Sequence, residues 1–268
     1  MINKNLADAL KKDGTLIEHL SDSLKDNIDV VLLCIENNFE HRNNAKSILS
    51  ATERFRTDKD LALKSLSVNG LVLEFLSPEL RDNKDVVLVA LKQNGKSLSH
   101  ASDRIKDDKD ACLIAIEENP DSLAYASDRI KDDKNLVILA VTNGSNCLEY
   151  ASDRLKDDKD VVLASFSLER VNHPLKYASD RLKDDDEIVS KAVQKNGYML
   201  EDASERLRDN KDIVELALKE NPNSGRAASK RVNDLIEEES KISISSLVNS
   251  IRNKFSSPNS KNSQKSGI

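Results

Sequence analysis

The chain has few aromatic residues: Phe, Trp and Tyr together make up 3% of its 268 residues, and Trp is absent. A core must then be assembled from Leu, Ile, Val and Ala, which suits many thin helices better than a β-sandwich. Seven Gly and five Pro are too few for a turn-rich all-β fold. The three cysteines, Cys34, Cys112 and Cys147, are odd in number and far apart. They outline no disulfide framework and fit a reducing compartment. No run of about 18 apolar residues occurs, so no integral membrane segment is expected. Positive charge is not in excess either, with 41 basic residues against 47 acidic ones and a formal net charge of −6. The signs are closely interleaved, which gives no case for a nucleic-acid partner. The N-terminus, MINKNLADALKKDG, is amphipathic and too polar for a secretory signal peptide. The expected setting is the cytoplasm; secretion into a host cell by other routes is not readable from these residues.

The marks of chemistry are also missing. His19, His41, His100 and His173 share no close spacing with each other or with a cysteine, and no zinc pattern appears. There is no phosphate-binding glycine loop and no G-x-S-x-G elbow. Cys112 and Cys147 fall on apolar stretches, where a buried thiol is a better reading than a nucleophile. The acidic clusters lack the Gly turn and closing Glu of a calcium loop. No catalytic residue, cofactor or metal is therefore expected.

What the chain has in quantity is repetition. ASDRIKDDKD at 101–110 returns as ASDRIKDDKN at 126–135, ASDRLKDDKD at 151–160, ASDRLKDDDE at 178–187 and ASERLRDNKD at 203–212. Counting Ala101 as position 1, units start at 20, 51, 76, 101, 126, 151, 178, 203 and 228, with a basic spacing of 25 residues. Two longer spacings mark insertions around 37–46 and 167–175. Repetition at such a period is the signature of a stacked-repeat architecture.

Each unit reads as two helices. Helix A starts in the DDKD segment, with Asp107 as N-cap and Asp108 and Asp110 in the first turn. Apolar residues follow at positions 11, 12, 15 and 16, as in Val86, Val87, Ala90 and Leu91. Positions 13 and 14 are apolar too in several units (Leu113 and Ile114, Ile138 and Leu139), so helix A is expected to be buried on most sides. Asn-Gly or Asn-Pro closes it, as at Asn94-Gly95 and Asn119-Pro120, with Gly expected in a left-handed cap. Helix B carries the stripe Leu98, Ala101, Ile105 and its equivalents, and ends near the next DDKD. An αα-hairpin of this size cannot bury its own apolar face, so neighbours must stack. The expected fold class is all-α, a right-handed α-solenoid of short 25-residue αα-hairpin repeats. Residues 1–19 would form a half-repeat cap, 20–232 the array, 233–255 a capping helix and 256–268 a disordered polar tail.

The consensus A-S-D-R-L-K-D-D-K-D-V-V-L-x-A-V-x-x-N-G-x-x-L-x-Y resembles the repeats of domain of unknown function family 4116, known from bacteria, protists and large viruses. Residues 84–102 (KDVVLVALKQNGKSLSHAS) and 134–152 carry the likeness best, and it extends over roughly 20–230. Asn143-Gly144 is shifted one residue early, and Phe39 stands where a Gly is lost. The resemblance implies a helical-repeat protein of intracellular, host-associated organisms, among which a translocated bacterial effector or adaptor is one subtype.

The non-core feature that stands out is a pair four residues apart on helix B: His100 with Arg104, Tyr125 with Arg129, Tyr150 with Arg154, and Tyr177 with Arg181. On one helix such residues are neighbours, and an arginine over a ring gains a cation–π contact. In one reading, these arginines bridge to Asp residues of their own or the next unit while the rings pack between repeats. In the other, the eight residues form a ladder that binds a partner, Tyr and Arg being common at binding hot spots. The leading expectation is a non-enzymatic, monomeric protein–protein interaction scaffold. The alternative is an enzyme or ligand-binding protein with a site at the insertions, which hold His41, Arg42, Arg170 and His173. Membrane-surface docking through 241–255 is disfavoured by its few charges, Lys241, Arg252 and Lys254.

Overall fold

The computed structural model describes residues 4–36, 44–144, 146–167 and 173–255. Among them every regular element is helical and no strand occurs. The chain forms two compact units, 1–183 and 184–268, each considered by itself. Within each, the fold is that of an all-α repeat solenoid. The expected polar tail over 256–268 lies outside the described residues, as do 37–43 and 168–172 of the two insertions.

Helix A forms as the apolar spacing predicts, for example over Lys84–Gln93, Lys109–Glu118 and Lys134–Asn143 in the first unit and Lys211–Glu220 in the second. Val86, Val87, Ala90 and Leu91 are buried, as are Ala111, Cys112, Ala115 and Ile116 one repeat later. Within each unit successive A helices pack on each other, as do successive 3-10 helices described below. Two expectations need correction. The N-cap is the second Asp of the pair: Asp108 accepts the Ala111 N–H at 2.9 Å, whereas Asp107 closes the preceding turn. Positions 13 and 14 are not enclosed, since Leu113 is exposed and Ile138 and Leu139 are half-buried. Helix A thus keeps an outer face.

Helix B is not one helix. Gly95–His100 is a 3-10 helix and Asp103–Lys106 a single α-turn. Between them Ala101 (φ −70°, ψ 162°) and Ser102 (φ −65°, ψ 160°) are extended. Competing caps explain the break. Asn94 accepts the Lys96 N–H at 3.0 Å and so starts the 3-10 segment, while Ser102 turns its hydroxyl to the Ile105 N–H at 3.4 Å and starts the next turn. Leu98, Ala101 and Ile105 remain buried, though no continuous helical stripe carries them.

The glycine after the Asn also has a different reason from the one expected. Asn94 itself ends helix A in an extended conformation (φ −157°), so no left-handed residue is needed. A Cβ on Gly70 would lie 2.5 Å from the Ala90 carbonyl oxygen, and one on Gly95 would crowd Ala115 in the same way. The glycine lets the next A helix approach closely.

The first unit opens with Lys4–Lys12 and the 3-10 helix Gly14–His19, whose Leu10 and Ile17 are buried. The second closes with the 26-residue helix Lys230–Phe255. Val232 seats that helix, and residues 237–248 are exposed.

Candidate partner-binding edge

In the first unit each 3-10 helix from Gly70 onward ends on an aromatic residue or His: Phe75, His100, Tyr125, Tyr150 and Tyr177; the earlier Asn44–Leu49 ends on Leu49. Because the 3-10 helices pack side by side, these rings follow one another along one edge. Tyr125 is 40% exposed and the others are half-buried. A groove of about 380 Å³ brings Phe75, His100 and Tyr125 together with Glu74 and Lys96. His100 Nε2 stands 4.0 Å from Glu74 Oε2. Burial holds the imidazole pKa below its ordinary value; Glu74 opposes this, and Lys106 and Arg81 reinforce it. Burial likewise raises the Tyr150 phenol, with smaller contributions from Glu149, Asp121, Cys147 and Tyr125. Phe75 belongs to this row although the sequence pairing with arginine passed over it, since its unit has Glu79 where the others have Arg.

The arginines sit elsewhere. The extended Ala-Ser pair separates each from its ring, so the two are not helical neighbours, and among the described residues no arginine lies over a ring. The ring contact that does form is Lys176 Nζ over Tyr177, at 5.7 Å. Each arginine instead reaches back to the preceding repeat. Arg104 Nε donates to the Asp82 carboxylate at 3.0 Å, Arg129 to Asp107 at 2.9 Å, Arg154 to Asp132 at 3.0 Å and Arg181 to Asp157 at 2.9 Å. Their Nη2 groups donate to the backbone carbonyl of the same Asp, at 2.8 Å for Arg154 and 2.7 Å for Arg181. The serine two residues earlier completes the latch. Ser127 gives its hydroxyl to Asp107 and its N–H to the Lys106 carbonyl at 2.9 Å. The hydroxyl, then the guanidinium, hold Asp82, Asp107, Asp132 and Asp157 below the usual carboxylate range. The second unit repeats the device with Arg206 on Asp184 and Arg231 on Asp209. The arginines of the expected ladder thus join repeats.

These repeats carry another cation at position 6, Lys25, Arg56, Arg81, Lys106, Lys131 and Lys156, and Arg81 and Lys106 lie near enough to His100 to help lower its pKa. Every arginine at position 4 has an Asp, and Lys59, Lys84, Lys109 and Lys134 at position 9 reach the next repeat's acids at 2.7–3.1 Å. The position-6 side chains are half-buried and, among the described residues, make no ion pair or side-chain hydrogen bond. The Nε atoms of Arg56 and Arg81 are shut off from solvent with no acceptor. The bond from Ser127 N–H to the Lys106 carbonyl brings this turn against the Tyr125–Ala126 segment, and the same bond recurs from Ser152 to Lys131 and from Ser179 to Lys156. The sequence signal was available, in the basic residue before Asp107-Asp108, Asp132-Asp133 and Asp157-Asp158, but the pairing of rings with position-4 arginines passed over it.

No other cluster offers a competing chemistry. Cys34, Cys112 and Cys147 are unbridged and buried, and burial pushes their thiols up to about 12, so they are protonated at neutral pH. Among the described residues no group of three His, Cys, Asp or Glu could hold a metal ion, and no helix is long and apolar enough to cross a membrane. His41, Arg42 and Arg170 of the insertion-loop alternative lie outside the described residues; His173 precedes a 3-10 turn at Pro174–Tyr177.

A tandem array of short helices, latched repeat to repeat, defines the class: an all-α repeat solenoid. Models of one family, described as Domain of unknown function (DUF4116), match six times, over 8–40, 42–81, 83–131, 133–172, 167–208 and 187–232, and the chain belongs to that family. No curated protein and no solved structure matches it.

Proposed function

We propose that the protein is a non-enzymatic protein–protein interaction scaffold. Its first unit binds an extended acidic segment of a partner along the edge formed by His100, Tyr125, Tyr150, Tyr177 and the position-6 cations. The observation that carries this reading is the contrast among cations. The arginines at position 4 are consumed in holding the array together, while Arg56, Arg81, Lys106, Lys131 and Lys156 have no ion-pair partner among the described residues. Neighbouring repeats place like charges about 8–10 Å apart, close to one Debye length in physiological salt. An anionic partner would relieve that repulsion. The exposed Tyr125 and the half-buried rings beside it supply apolar contact area. The three free cysteines suit a reducing, cytoplasmic setting, and an adaptor acting there as a monomer is the role proposed.

Fluorescence polarisation with a labelled Glu-rich peptide containing aromatic residues, against a Lys-rich control, tests this. The acidic peptide should bind and salt should weaken the complex. Combined Lys106→Glu, Lys131→Glu and Lys156→Glu changes should abolish binding, as should Tyr125→Ala, Tyr150→Ala and Tyr177→Ala, both at an unchanged melting temperature. Equal binding by the wild type and both variants would overturn the reading, and a lower melting temperature in the tyrosine variant would make the rings structural.

A further inference from the structure

The C-terminal helix of the second unit carries four large aliphatic side chains that the array does not cover. Ile242 is 69% exposed, Ile244 and Leu247 62% and Val248 49%. Ile244, Leu247 and Val248 are spaced to share one helical stripe, and the sequence repeats that spacing at Ile251 and Phe255. The residues between them are mostly small and polar: Ser243, Ser245, Ser246, Asn249, Ser250 and Asn253. Soluble chains rarely leave so many large aliphatic side chains open in one place without a binding role.

The charge of the surrounding sequence bears on what would cover it. From Ser240 to Ile268 the sequence holds five basic residues, Lys241, Arg252, Lys254, Lys261 and Lys265, and no acidic one. The preceding 239 residues therefore carry all 47 acidic residues against 36 basic ones. The break is sharp: Glu237, Glu238 and Glu239 close the acidic stretch, and Lys241 opens the basic stretch. Lys261 and Lys265 raise the charge well above what residues 241–255 carry alone. Two copies of this segment lying together would bring like charges together. An anionic bilayer surface instead accepts the aliphatic stripe between its headgroups and attracts the lysines.

We propose that the helix over 241–255 docks the protein peripherally on membranes rich in anionic lipid, lying in the plane of the surface. This rests on residues distinct from the partner-binding edge and stands or falls separately from it. Flotation of the full chain with phosphatidylcholine vesicles, with and without phosphatidylserine, gives the test. The wild type should float with the phosphatidylserine vesicles and far less with phosphatidylcholine alone. Leu247→Glu should lower the floating fraction about ten-fold or more, and Lys241→Glu with Lys254→Glu should do the same. These positions lie on the uncovered stretch of the helix or its basic segment, so far-ultraviolet circular dichroism should be unchanged. Failure of the wild type to float, or equal flotation of the Leu247→Glu variant, would overturn the proposal. So would a concentration-dependent dimer in velocity sedimentation that Leu247→Glu dissolves without any vesicle binding, which would assign the stripe to a second copy.

Discussion

Asp107 and Asp108 are adjacent, chemically identical and committed to different bonds. Asp107 takes the Ser127 hydroxyl and the Arg129 guanidinium of the next repeat, while Asp108 caps its own helix and meets Lys84 of the repeat before at 2.8 Å. Both carboxyls are held below their ordinary pKa. A folded-state value below the unfolded one stabilises the fold fully above the unfolded pKa, near 4, and that contribution is lost as pH falls through the folded value. The melting temperature should therefore change little from about pH 8 to 5, with a small loss below about pH 6.5 from His100, and fall steeply below about pH 4. Asp107→Asn with Asp132→Asn should lower the neutral plateau and flatten the acid fall, as thermal melts across pH would register. At this scale the sequence was legible in kind and blurred in detail. An Asp beside a helix start reads as a cap, but two in succession cannot be ranked when the second partner lies 20 residues further on.

At the scale of the element, helix A was legible because its period, cap and stop agree locally. Helix B was misread because its buried residues happen to fall at helical spacing, although the chain between them is extended. One signal was available. In the unit that starts at 76, Ser77 precedes Pro78, and a residue before proline is steered away from the α conformation. Pro78 in fact opens the one-turn helix Pro78–Arg81. The same geometry at Ser102 (ψ 160°) makes Asp103→Pro an incisive substitution. It should change unfolding free energy by less than about 1 kcal/mol in denaturant titration, since proline at a helix's first position forfeits no bond. Were helix B continuous, the same change would cost about 3 kcal/mol. The position-6 cations were missed for a related reason. Only knowing which neighbouring charges are already paired distinguishes them from a solvated surface.

For the whole molecule the repeat period was the most legible property, since it rests on identity between segments and not on propensity. It predicts modularity. Deleting residues 126–150 would join Tyr125 to Ala151 and present Ser152 and Arg154 to Asp107, the partners that Ser127 and Arg129 now supply. The shortened chain should keep its helical circular dichroism and melt cooperatively at a lower temperature. Aggregation of the deletion under conditions where the wild type is soluble would contradict nearest-neighbour stacking. The latches also have a direction. Asp82, Asp107, Asp132 and Asp157 at position 7 each receive a serine and an arginine from the repeat that follows, across 20–24 residues. During synthesis a repeat therefore leaves the ribosome with its carboxylates still open, and it closes only when the next has emerged. The chain would fold from its N-terminus at a constant lag of one repeat, never waiting for a distant segment.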